Sequence, residues 1–104
     1  MTADEFRTLA LAQTGAVEAS HMGHADFRAD GKIFAGLPKA GVGTLKLQPE
    51  EQDMAMAISK AFSPAAGAWG RQGWTEVDLT KVDADLLASL MVKARVNVAK
   101  KQRR

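Results

Sequence analysis

The 104-residue chain is 46% apolar and 25% charged, an ordinary globular mixture that suits one core and excludes a disordered chain. It has no cysteine, which excludes disulfides, thiolate metal centres, iron–sulfur ligation and a cysteine nucleophile. The formal charge of +2 is uneven: Lys100, Lys101, Arg103 and Arg104 supply four of the fourteen basic side chains, leaving ten against twelve acidic groups in residues 1–99. The body is therefore slightly acidic, and the sequence divides into a single domain over 1–99 and a basic tail over 100–104.

The polar, acidic start Met1-Thr2-Ala3-Asp4-Glu5 lacks the basic and then apolar profile of a secretory signal. No stretch approaches the roughly 20 apolar residues that span a bilayer, so the expected location is the cytoplasm, without membrane contact.

Thr2 and Glu5 have capping-box spacing, and Phe6, Leu9, Ala10 and Gln13 repeat at helical period, which predicts a helix over about 3–13, stopped near Gly15. Val17 to Ala40 reads as strands. Asp30-Gly31 suits a two-residue type I′ hairpin turn, and that register would set Phe27 opposite Phe34 and Arg28 opposite Ile33. After the turn-forming run 36–41, Val42 to Gln48 alternates, with Leu45 and Leu47 on one face and Thr44 and Lys46 on the other. Pro49 followed by Glu50, Glu51 and Asp53 opens a second helix, with Met54, Ala57, Ile58 and Ala61 expected as its buried stripe.

Residues 62–73 read as a loop, broken by Pro64 and three glycines. Thr75 to Leu79 alternates as a strand with Val77 and Leu79 inward. Asp83 is a suitable N-cap for a last helix whose apolar stripe runs Leu86, Leu87, Leu90, Met91, Ala94, Val98. The order helix, strands, helix, strand, helix, without a βαβ repeat, predicts an α+β fold: an antiparallel sheet with helices packed on one side.

Three groups of residues in this order resemble the MmcQ/YjbR family. They are the hairpin Phe27-Arg28-Ala29-Asp30-Gly31-Lys32-Ile33-Phe34-Ala35, the strand-to-helix step Leu45-Lys46-Leu47-x-Pro49-Glu50-Glu51, and Gly70-x-x-Gly73-Trp74-x-x-Val77 followed by Val82-Asp83. The resemblance covers about residues 3–100. It implies a compact α+β domain related in shape to secretion-chaperone-like domains, and a "double wing" mode of DNA binding. It brings no catalytic residues with it.

His21, His24 and Asp26 are metal-ligand types, but residues three apart on one strand point to opposite faces. The imidazoles would meet one ion only if Met22-Gly23 made a tight turn, so no metal is expected. Trp69, Arg71 and Trp74 belong to a glycine-rich loop that either anchors a tryptophan in the core or presents Arg71 and an aromatic face to a ligand or partner.

Arg28, Lys32, Lys39 and Lys46 fall on the hairpin and the next strand, where a wing tracking phosphates would carry them. Lys93, Arg95, Lys100, Lys101, Arg103 and Arg104 concentrate charge in the last twelve residues, where cations also suit the negative end of a helix. No nucleophile with a base, carboxylate pair or ligand set converges, and Ser20 beside His21 is mere adjacency on a strand. The expectation is a small non-enzymatic binding module, without cofactor, that holds nucleic acid weakly and without sequence preference through Arg28, Lys32, Lys46, Arg71 and the basic C-terminal residues. The alternative is a protein-interaction or secretion-chaperone-like adaptor using apolar sheet-face residues and Trp69. Composition leaves the oligomeric state open.

Overall fold

The computed structural model describes residues 1–100, so Lys101, Arg103 and Arg104 of the expected tail lie outside the described residues. Thr2 caps the first helix, α1 (Ala3–Leu11): its hydroxyl accepts from the Glu5 N–H while the Glu5 carboxylate accepts from the Thr2 N–H. That exchange satisfies donors the helix cannot pair internally and holds the Glu5 carboxyl below its ordinary pKa, chiefly through the Thr2 backbone.

Four strands follow: β1 (Val17–His21), β2 (His24–Ala29), β3 (Lys32–Lys39) and β4 (Val42–Lys46). Then come α2 (Pro49–Ile58), β5 (Phe62–Pro64), α3 (Gly67–Arg71), β6 (Trp74–Asp78) and α4 (Ala84–Asn97). The strands form one six-stranded sheet in the order β1-β2-β3-β4-β6-β5, with every neighbouring pair antiparallel. The fold is thus α+β, as the order of patterns predicts.

Asp30 and Gly31 take φ of 52° and 79°, the pair of positive values a type I′ turn requires. Arg28 faces Ile33 as expected, but Phe27 faces Ala35 instead of Phe34. The register shifts at this point, and the extra β3 residue is a bulge, which lets Phe34 and Ala35 both be buried. Period-two counting has no means of anticipating that insertion.

One sheet face is covered. Phe6 of α1 packs over Gly43, where an added Cβ would stand 2.5 Å from its ring, and also tilts against Phe27 with centroids 6.2 Å apart. Leu87, Leu90, Met91 and Ala94 of α4 and its C-cap Val98 are buried with Leu45, Leu47, Val77 and Leu79 from the sheet side, and Leu86 is partly buried against them, in line with the predicted stripe and strands. Each fully buried leucine or phenylalanine contributes roughly 1.5–3 kcal/mol.

Two expectations need correction. The buried residues of α2 are Gln52 and Ala55, whereas Met54 and Ile58 are 50% and 63% exposed. The helix rests on the sheet along a stripe that includes a hydrogen-bonded glutamine, so a purely apolar count selects the wrong face. The segment 62–73 is also more regular than a loop, holding β5 and the single-turn α3.

Candidate functional site

The antiparallel register gathers positive charge at one end of the sheet. Arg28 and Ile33 are partners, as are Ala29 and Lys32, Ala35 and Leu45, and Lys46 and Trp74. The ends of β2 and β4 and the starts of β3 and β6 therefore coincide, bringing Arg28, Lys32 and Lys46 to the same edge of the molecule. Lys39 lies at the far end of β3, away from them.

Two further elements converge there. Lys46 Nζ donates to the Gln72 carbonyl at 2.6 Å, which ties the strand end to α3 and sets exposed Arg71 beside it. Asn97, the last residue of α4, donates to the Lys46 carbonyl at 3.0 Å and to Glu51 at 2.8 Å. The end of α4 thus meets the end of β4, and Lys93 stands exposed one turn earlier on the helix.

Arg95 has a different position from a free surface cation. Its side chain is only 15% exposed, with Nε donating to the Thr14 carbonyl at 2.7 Å and a terminal nitrogen 3.4 Å from Asp30. The Lys100 N–H also donates to Asp30. These contacts, the Lys100 backbone first and the Arg95 charge after it, hold the Asp30 carboxyl below its usual range. Arg95 therefore clamps the α1–β1 connection and the β2–β3 turn to α4, and the one acidic group of that turn is compensated.

Arg28 is directed onto Asp26, donating to both carboxylate oxygens at 2.8 and 3.1 Å, and this contact raises its pKa further. Asp26 is buried on the face opposite the helices. Asp78 lies at the other end of the sheet, where the Thr80 hydroxyl and N–H hold its carboxyl low.

Neither tryptophan anchors the 62–73 segment in the core. Trp69 is 63% exposed and Trp74 is half-buried on the open sheet face. The anchor is Gln52, which donates to the Gly70 and Trp74 carbonyls and the Thr75 hydroxyl at 3.0–3.1 Å, a role no periodicity signals. The segment is thereby held firmly while Trp69 and Arg71 face solvent.

Met22 and Gly23, with φ of 53° and 80°, form a second tight turn, so His21 and His24 are cross-strand partners on one face. The condition for sharing an ion is met by those two imidazoles, contrary to the opposite-face expectation. A methionine in the left-handed region carries no turn signature, which is why the sequence hides it. Among the described residues, no group of three or more metal-ligating side chains forms. Nor is any described helix long and apolar enough to cross a membrane.

The family model described as YjbR matches residues 11–95. A Deinococcus radiodurans protein carrying a DUF419 domain has a similar crystal structure, with a TM-score of 0.79, 21% identity, and coverage of 96% of this chain and 80% of that one. A crystal structure of a Pseudomonas syringae protein is similar with a TM-score of 0.74 and 19% identity, covering 95% of this chain and 100% of that one. At such identities the likeness concerns the fold. No curated protein matches the chain.

Proposed function

The chain belongs to the YjbR family, and from that premise we propose that it is a non-enzymatic module that binds nucleic acid through the basic end of its sheet. The observation that carries this reading is the convergence of Arg28, Lys32, Lys46 and Arg71, from β2, β3, β4 and α3, at the edge where α4 ends. Four elements supply the charges, so the strand register and the Lys46–Gln72 contact fix where their backbones stand. Of the nearby carboxylates, Asp26 is paired with Arg28 and Asp30 with Arg95.

Such a surface neutralises phosphates and offers no array of side chains for reading base edges of a duplex. Its affinity is weak, indifferent to duplex sequence and strongly salt-dependent, because the gain comes from releasing condensed counterions. The slightly acidic remainder of the body limits the contact to this end.

Anisotropy titrations with labelled DNA at several salt concentrations test the reading. Replacing Lys32, Lys46 and Arg71 together by Gln should flatten the plot of log affinity against log salt by about 2 to 3. An unchanged slope, or no binding by the intact protein at low salt, would sink the proposal and direct attention to a protein partner at Trp69.

A further inference from the structure

The open face of the sheet carries a groove of about 280 Å³ that begins beside the basic end. Trp74 of β6 and Ile33 of β3 line it at that end, Gly36 and Thr44 line its middle, and Pro38 and His24 lie toward the other. Its walls are overwhelmingly apolar, although the face is otherwise the polar side of the sheet.

Gly36 is the informative residue. It sits inside β3, in register between Asp26 and Thr44, and its φ is not positive, so the backbone conformation does not require glycine. A glycine within a strand weakens it and often marks close approach of another group. An added Cβ would come within 3.0 Å of Thr44 Oγ1, closing the space over the strand. The groove floor is therefore bare backbone, walled by an aromatic ring, with Asp26 and Thr44 among its lining residues.

We propose that this groove receives one unpaired base of a single-stranded nucleic acid, stacked against Trp74, while the adjoining phosphates rest on Arg28, Lys32 and Lys46. The inference rests on the nucleic-acid reading above and adds which form is preferred. Lys46 is the register partner of Trp74 on the same face, so a phosphate contact and a stacking surface stand side by side on adjacent strands. The volume is below the roughly 300–1,000 Å³ of pockets for drug-sized ligands and suits a flat heterocycle. Bases in a duplex are stacked on each other and paired, and cannot enter; an unpaired base can.

The test uses the whole protein with three labelled probes of equal length: a single strand, a hairpin duplex, and a single strand whose sugar-phosphate backbone lacks bases. The single strand should bind more tightly than the duplex, and loss of its bases should weaken binding on the order of tenfold to a hundredfold. Trp74→Leu should bring the preference for single strand over duplex close to one. Equal affinity for the base-bearing and base-free strands overturns the groove proposal while leaving the polyanion reading intact. Failure of all three probes at low salt overturns both. Because the base-free probe is used with the unaltered protein, the result stands even if Trp74→Leu does not fold.

Discussion

Gln52 and Thr75 meet across the contact between α2 and β6, the glutamine Nε2 3.1 Å from the threonine hydroxyl, which itself donates to the Gly73 carbonyl at 2.9 Å. Both residues are buried, and the same amide serves the Gly70 and Trp74 carbonyls. Gln52→Leu keeps the approximate shape but removes the side-chain donor from the Thr75 hydroxyl and from the Gly70 and Trp74 carbonyls, which keep only the N–H groups of Gly73 and Ala65. Chemical denaturation should show a loss of about 1–3 kcal/mol. Hydrogen exchange should also accelerate selectively around α3, and exchange that rises evenly through the sheet would argue against this anchoring role.

Two glycines with positive φ should respond differently to alanine. At Gly31 an added Cβ meets nothing, so Gly31→Ala bears only the cost of the left-handed region, about 1 kcal/mol. At Gly73, with φ of 104°, the Cβ would overlap the Leu47 carbonyl, whose residue pairs its own N–H with the Gly73 carbonyl. Gly73→Ala must displace the junction of β4 and β6 and should cost clearly more. Melting temperatures of the two variants, compared directly, decide it, and equal values would refute the distinction.

Asp30 should contribute to acid sensitivity. Its folded pKa lies below the ordinary aspartate value of about 3.9, through the Lys100 N–H first and Arg95 after it. The unfolded chain therefore takes up a proton before the folded one, and the stabilisation is full above about pH 4 and fades as pH falls toward the folded value. Asp30→Asn keeps a residue that tolerates positive φ and removes the charge. Its melting temperature should lie below that of the parent at pH 7 and converge with it in acid. A gap independent of pH would rule out the charge as the cause.

The terminal cations should add to binding independently of the sheet. Removing residues 101–104 deletes Lys101, Arg103 and Arg104, and the salt slope for DNA should flatten by about 2 to 3. Combined with the Lys32, Lys46 and Arg71 substitutions, the two decrements should add. A truncation that leaves the slope unchanged would confine the contact to the sheet end.

Much of the fold was legible because local chemistry and tertiary structure agree. The Thr2–Glu5 box, the Asp30-Gly31 turn, Pro49 at its helix start and the Asp83 cap each act within a few residues, and all four are present. What escaped depends on partners distant in sequence. Gln52 is buried because Gly70, Trp74 and Thr75 surround its amide, and only the folded chain brings them together. The bulge at Phe34 inverts an aromatic pairing that alternation alone would assign. For the site, the residue types were readable, but their common position was not: Arg28, Lys32, Lys46 and Arg71 span 44 positions of sequence, and only the strand register aligns them.

The placement of β6 between β4 and β5 also sets an order of events during synthesis and folding. β1 to β4 pair with one another in sequence order, so this meander closes through short loops at small entropic cost. β5 has no partner until β6 arrives to pair with both it and β4. Until residues 74–78 have left the ribosome, the β4 edge stays open, and a second nascent chain offering its own β6 could fill it. The arrival of one five-residue strand is therefore the moment when β4 stops being an edge, leaving β1 and the three-residue β5 as the borders of the sheet.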